Sequence, residues 1–258
     1  MFFLNSIKSS VESHFKPMSH TNIVLSPLGT PLAHRTVGEL VAERPGRSRI
    51  FQSFQIDFCC QGSRTLTEAC ERKGIAVEAV VEQIEAEQAA PQETGENPAQ
   101  LPPAELISHI LEKHHSFLRQ ELPRLHAMAQ RVAQVHGQHT PSLVEVSAVF
   151  TGLFQELDSH MMKEEQILFP AILAMSQSGE AALPLDGPIA CMMHEHDDAG
   201  EALRQLHELT NGYQPPADAC NTYRALFDGL KDLEEDLHRH IHLENSVLFP
   251  AAEQMAAR

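Results

Sequence analysis

Two stretches of this chain place histidine and glutamate at a spacing that can hold a metal. His160-Met-Met-Lys-Glu164-Glu-Gln-Ile-Leu168-Phe169-Pro170-Ala171 is followed eighty residues later by His240-Ile-His-Leu-Glu244-Asn-Ser-Val-Leu248-Phe249-Pro250-Ala251. Both read His-x3-Glu-x3-Leu-Phe-Pro-Ala. Residues four apart lie one above the other on a helix. The leucine four positions further on continues that face, so His and Glu point where the apolar side chains point. One such pair is a weak signal that a solvated ion pair would also produce. Two copies with matched flanks are better explained by neutral imidazole and carboxylate converging on a buried cation.

The elements that must position them read as helices throughout. The chain has 258 residues, 42% of them hydrophobic, with no Trp, which suits a folded helical protein rather than a disordered one. A formal charge of −16 argues against nucleic acid or an anionic membrane surface as partner. No run of about 18 apolar residues is present, so no membrane span is expected, and the N-terminus has no signal-peptide pattern. The five cysteines, with Cys59 and Cys60 adjacent, are an odd count that suits a reducing compartment, so a cytoplasmic protein is expected.

Residues 1–30 read as an extension, with Met18 an alternative start. Residues 31–89 read as a small helical domain. Thr36 caps a first helix, residues 48–54 form a second, and Asp57 to Ser63 form a turn carrying the cysteine pair. Thr65-Leu-Thr-Glu68 is a capping box opening a helix that Gly74 ends, and residues 75–89 form another. Residues 90–103 are a linker with four prolines. Residues 104–258 read as four long helices, roughly 104–135, 142–176, 189–209 and 218–256. A kink is expected near Pro123, a bend or end at Pro170, and a loop over 178–188. The fold class is all-α, with almost no strand.

The repeat is larger than the Leu-Phe-Pro pieces. His114-His115 precedes His194-Glu195-His196 by the same 80 to 81 residues. Each half is then a helix with a histidine, a connection, and a helix with His-x3-Glu. Two such hairpins about a pseudo-twofold give an up-down four-helix bundle with inward ligands: four His and two Glu around a di-metal site. Imidazole with carboxylate suits iron, manganese or zinc, and paired carboxylate bridges favour iron. Periodicity does not separate His114 from His115, nor His194 from His196. Glu165 lies about 100° off the core face, and His238 and His242 about 160° from His240, so these are expected outside the core. His109, His126, His136, His139 and His207 are read as ordinary histidines, and Cys70, Cys191 and Cys220 as ordinary cysteines.

These motifs resemble those of the iron–sulfur cluster repair di-iron proteins, a hemerythrin-like group induced in bacteria by nitric oxide and oxidative stress. The resemblance covers about residues 27–256. It rests on Ile56-Asp-Phe-Cys-Cys60, Leu66-Thr-Glu-Ala-Cys70, Arg119-Gln-Glu-Leu-Pro123, the two His-x3-Glu stretches, and Glu195-His-Asp-Asp-Ala-Gly200. It implies that the first-helix ligand, four residues before the arginine of Arg-x-x-Leu-Pro, is His115, and that the third-helix ligand is His196. His160, Glu164, His240 and Glu244 complete the set, with both glutamates bridging two Fe ions per chain. Oxygen-carrying hemerythrins use five histidines, so four His and two Glu look unlike a carrier. The family's Cys-Cys-Gly-Gly turn is here Cys59-Cys60-Gln61-Gly62, in which Gln61 stands where glycine would permit positive φ.

The function this implies is repair of iron–sulfur clusters damaged by nitrosative or oxidative stress, by iron donation or nitric oxide handling. Cys59 and Cys60 would act as a thiol relay, and damaged iron–sulfur proteins would be the clients. Nitric oxide or O2 is the expected small ligand, and a monomer or a Cys-linked homodimer the expected state. The alternatives are a di-iron nitric oxide reductase, for which the same six residues serve, and an NO or O2 sensor.

Overall fold

Reciprocal caps start the N-terminal helices. Thr36 Oγ1 accepts from the Glu39 N–H at 3.2 Å while the Glu39 carboxylate accepts from the Thr36 N–H at 3.1 Å, opening α1 (Val37–Glu43). α2 spans Arg47–Ser53. Thr65 and Glu68 repeat the capping box at the start of α3 (Leu66–Lys73). Gly74, at φ 66°, ends it in the left-handed conformation that glycine adopts without strain. α4 spans Val77–Ala89. Their apolar faces meet in one core that includes Leu40, Phe51, Phe58, Leu66, Val80 and Ile84.

This computed structural model describes residues 30–89, 97–178 and 184–257. The expected extension over 1–29 with Met18, most of the proline-rich linker (90–96) and the middle of the 178–188 loop (179–183) lie outside the described residues. The rest is four long helices: α5 (residues 103–136), α6 (142–178), α7 (Asp186–Leu209) and α8 (221–256). α5 packs on α6 and α8, and α6 on α7. Among the described residues there is no strand, only an isolated bridge between Thr36 and Thr65. Nor is any described helix long and apolar enough to cross a membrane.

Three of the four long helices widen into a π-helical turn: Ile110–His115 in α5, Glu164–Leu168 in α6 and Glu244–Leu248 in α8. Pro170 and Pro250 follow the last two. Proline offers no N–H to the carbonyl four residues back, and its ring crowds that carbonyl; a widened turn just before it absorbs the conflict. Pro170 therefore does not end its helix, which runs on to Ser178. Pro123 lies inside the continuous α-helical stretch Ser116–His136.

The bundle core is two apolar clusters with a polar layer between them. One gathers Leu118, Leu122, Phe150, Leu157, Leu203 and Leu237 with their neighbours. The other gathers Ile110, Leu168, Phe169, Ile189, Leu248 and Phe249 with theirs.

The N-terminal helices dock on the bundle. Ile241 of α8 is part of their core, and Asn97 Nδ2, just before α5, donates to the Ala42 carbonyl at 2.8 Å. His242, expected at the surface, is only 4% exposed, with its ring edge-on to Phe58 at 5.7 Å. His238 meets the same ring at 5.9 Å. The helix face opposite His240 is covered by the first domain rather than by water, and burial pushes His242 down to about 4. The docking also fixes two glycines. A Cβ at Gly38 would lie 2.6 Å from Ser246 Oγ of α8, and one at Gly62 would lie 2.9 Å from the same atom.

Candidate metal centre

Each of the four long helices sends one histidine into the polar layer, and the two widened turns after Lys163 and Leu243 begin with the glutamates. His115, His160, Glu164, His196, His240 and Glu244 are all buried, both glutamates completely. They form two groups that share the glutamates: His115, Glu164, His240 and Glu244, and His160, Glu164, His196 and Glu244. In each group the potential ligand atoms lie within 4.8 Å of one another. Of the two doublets, the structure brings His115 and His196 into the layer. His194 is exposed. His114 is buried beside the layer, stacked on His240 at 5.2 Å and hydrogen-bonded to Asp236 at 3.0 Å.

The carboxylates are oriented as bridges. Glu164 turns Oε2 to His115 Nε2 at 3.2 Å and Oε1 to His160 Nε2 at 3.4 Å. Glu244 turns Oε1 to His240 Nε2 at 3.0 Å and Oε2 to His196 Nε2 at 3.1 Å. Each glutamate thus offers one oxygen to each group. The rings are held from outside by Phe169, 5.8 Å from His115, and by Phe249, 6.0 Å from His196. These are the phenylalanines of the two Leu-Phe-Pro motifs.

Three of the four imidazoles have their other nitrogen engaged. His115 Nδ1 meets Glu165 at 2.7 Å, His160 Nδ1 meets Glu195 at 2.9 Å, and His196 Nδ1 meets Asn245 Oδ1 at 2.8 Å. A carboxylate or amide oxygen only accepts, so Nδ1 carries a proton and Nε2 is the nitrogen left to present a lone pair to a metal. His240 Nδ1 has no hydrogen-bond partner. Glu165, Glu195 and Asn245 were missed as functional residues by periodicity alone. Each is a chain neighbour of a candidate ligand, and that adjacency is the signal that could have found them. Glu165 was expected to leave the core face; it does so only far enough to reach the back of His115, backed in turn by Arg119 at 2.7 Å. Glu195 is backed by Lys163.

The donor set fits a divalent metal. His160 Nε2 and His196 Nε2 lie 3.1 Å apart with both Nδ1 positions already protonated, so as neutral rings they would set two lone pairs against each other. That is unfavourable unless a cation or a proton lies between them. Among the described residues, both oxygens of Glu164 and Oε2 of Glu244 are buried with no well-aligned hydrogen bond, only the close Nε2 atoms. Burial alone would depress His160, but the charges of Glu164 and Glu244 and the Glu195 contact outweigh it and push the ring up to about 9. At His240 burial prevails and its value falls. Burial would raise Glu244, yet the neighbouring His240 and His196 hold it well below the usual carboxylate range. Imidazole and carboxylate in this ratio suit iron.

The cysteine pair lies against the same layer. Asp57 Oδ1 accepts from the N–H groups of Cys59 at 3.1 Å, Cys60 at 2.9 Å and Gln61 at 3.3 Å, which builds the turn. Gln61 is not among the described residues with positive φ, so this turn has no need of glycine at that position. The two Sγ atoms are 3.7 Å apart and both thiols are free. Cys60 Sγ donates to the His196 carbonyl at 3.3 Å, and Asn245 Nδ2 donates to the Cys59 carbonyl at 3.2 Å. The exposed pair expected to link two chains is not what the structure has: Cys59 is buried and Cys60 half-buried. The hydrogen bond with Cys60, burial, and the Cys60 and Asp57 charges hold the Cys59 thiol well above the usual thiol range. Iodoacetamide at neutral pH is therefore expected to modify exposed Cys191 and Cys220 and to spare Cys59 and Cys70, as read by peptide mass spectrometry. Rapid labelling of Cys59 would contradict the docked arrangement.

A four-helix bundle with a buried layer of four histidines and two bridging-oriented glutamates defines a hemerythrin-like metal-binding protein. Residues 106–252 match the Hemerythrin HHE cation binding domain family, and residues 33–88 match ScdA_N, described as a domain of unknown function (DUF542). The chain is 42% identical over 216 residues to the iron-sulfur cluster repair protein YtfE of Citrobacter koseri, covering 84% of this chain and 95% of that one. It is 39% identical over 218 residues to the protein of the same name from Pectobacterium atrosepticum, covering 84% and 96%. The chain belongs to the hemerythrin-like family of these iron-sulfur cluster repair proteins.

Proposed function

We propose that this protein holds two iron ions in the layer and uses them to repair iron–sulfur clusters damaged by nitrosative or oxidative stress. One observation carries the metal reading: the Nε2 atoms of His115, His160, His196 and His240 converge on two buried carboxylates, each offering an oxygen to both groups. Kinship with the YtfE proteins supports the repair reading, with damaged iron–sulfur proteins as clients. His115, His160, His196 and His240 would be terminal ligands, and Glu164 and Glu244 would bridge.

Bound ferrous iron would supply ions that can be passed on, or that take a small diatomic ligand such as nitric oxide. The protein's own part is to present neutral nitrogens and only two carboxylates, so the site leaves residual positive charge. Glu165 and Glu195 fix the tautomers of His115 and His160, and the two apolar clusters exclude water. The hydrogen bond from Cys60 to the backbone of His196 supports a relay role for the pair between site and client. The domain division at residues 31–89, 90–103 and 104–258 fits this reading, with the first domain serving as the module that carries the relay.

The test is to give the ferrous protein a [4Fe–4S] dehydratase inactivated by nitric oxide and to follow recovery of its activity. Wild type is expected to restore it, Cys59→Ala/Cys60→Ala to restore it more slowly, and Glu164→Leu not at all. Equal recovery with Glu164→Leu overturns the reading. Nitrous oxide in the headspace without cluster recovery replaces it with nitric oxide reduction.

A further inference from the structure

The support behind the four histidines is unequal. Behind His115 stand Glu165 and then Arg119, and behind His160 stand Glu195 and then Lys163, all within the bundle. His240 Nδ1 has no hydrogen-bond partner among the described residues. Only the chain behind His196 leaves the bundle: His196 Nδ1 to Asn245 Oδ1 at 2.8 Å, then Asn245 Nδ2 to the Cys59 carbonyl at 3.2 Å. The second bond assigns the amide. The Cys59 carbonyl only accepts, so Nδ2 faces it, and Oδ1 is left for the imidazole. The same turn touches His196 a second time, through Cys60 Sγ on its carbonyl at 3.3 Å. At the matching position of the other half stands Glu165, whose partner Arg119 belongs to α5 and not to the first domain.

We propose that Asn245 is a positioning residue through which the Cys59–Cys60 turn governs one of the two metal positions, the one framed by His160 and His196. The position framed by His115 and His240 answers to the bundle alone. The inference rests on the two-metal reading above. Chemically, Asn245 keeps the His196 proton on Nδ1 and its Nε2 lone pair toward the centre. It can do so only while the Cys59 carbonyl holds the amide in orientation. Any event that rearranges the turn, such as oxidation of the pair or a metal taken up by its thiols, would free the amide and loosen that one ligand. An amide partner is also the weaker one, since the carboxylates behind His115 and His160 bind the imidazole proton more strongly.

The experiment is anaerobic Fe(II) titration of the metal-free full chain with 57Fe Mössbauer spectra, for wild type, Asn245→Ala, Asn245→Asp and Asp57→Ala. Asp57→Ala loosens the turn from a residue outside the bundle. Asn245→Ala is expected to weaken one of the two affinities by about 10–100-fold and to alter one of the two doublets. Asn245→Asp retains the acceptor and should restore the affinity, which also guards against a mere folding defect. Asp57→Ala should weaken the same single position and add nothing in the Asn245→Ala background. An unchanged titration in Asn245→Ala, an Asn245→Asp variant as weak as Asn245→Ala, or additive effects with Asp57→Ala overturns the proposal. If wild type takes up fewer than two ions, the two-metal reading fails on that result. The proposal is then decided separately by the 15N shift of His196 Nδ1 in the metal-free protein, which must move in both Asn245→Ala and Asp57→Ala.

Discussion

Replacing Glu164 with leucine is expected to empty both metal positions and to destabilise the metal-free protein as well. Glu164 gives one oxygen to the His115 side and the other to the His160 side, so neither position survives its loss intact. Losing a supporting partner costs about 10–100-fold in metal affinity, and losing a shared ligand should cost more than about 100-fold at both positions. Without metal, the same fully buried carboxylate is paired with His115 and His160, and against the effect of burial its charge pushes both rings up. Removing one partner of a buried ion pair commonly costs about 3–5 kcal/mol. Iron analysis of purified protein and thermal melts of the metal-free forms test the two effects separately. Normal iron content in Glu164→Leu would remove the bridging role. A metal-free melting temperature that is unchanged or higher would mean that the carboxylate gains nothing from His115 and His160.

Enlarging Gly200 should separate the two domains while sparing the bundle. Gly200 lies in α7, one turn beyond His196, and a Cβ there would stand 3.1 Å from Cys60 Sγ. Leucine is a better helix former than glycine by up to about 1 kcal/mol, so Gly200→Leu is neutral or favourable within the helix. Across the interface it is an overpacking change costing about 1–3 kcal/mol, which is about 5–150-fold in the docking equilibrium. Cys59 should then be alkylated about 5–150 times faster, while the melting temperature of the bundle holds or rises. Unchanged Cys59 labelling would show that the interface yields around the larger side chain.

The two predictions mark which features the sequence revealed. Glu164 and Glu244 were legible because each sits four residues from a histidine in an otherwise ordinary helix, and because the pattern occurs twice. His115 could not be separated from His114 by period, and the reason is now visible. Ile110–His115 is a π-helical turn, so a 3.6-residue count mislays the phase where the choice is made. Glu165, Glu195 and Asn245 were hidden for a related reason. A residue next to a ligand is about 100° off the core face, yet it can still reach the outward Nδ1 of an imidazole on a neighbouring helix. His242 was misplaced because a single helix's period cannot report a second domain lying on its outer face. Thr36, Thr65 and Gly74 were placed correctly because caps are local chemistry, decided within three or four residues.

The polar layer between the two apolar clusters also governs alignment. Sliding one helix by a single turn, about 5.4 Å, would move a glutamate from the layer into leucine and phenylalanine, and a leucine into the layer. Purely apolar clusters would tolerate such a slip, since hydrophobic contact is not directional. A buried carboxylate would not, because stranding it costs several kcal/mol. The six polar residues therefore act as a vernier: only one axial setting of the four helices brings all six to one level. The chain is held to that setting before any metal arrives, and a bundle cleared of these residues would gain stability while losing its unique alignment.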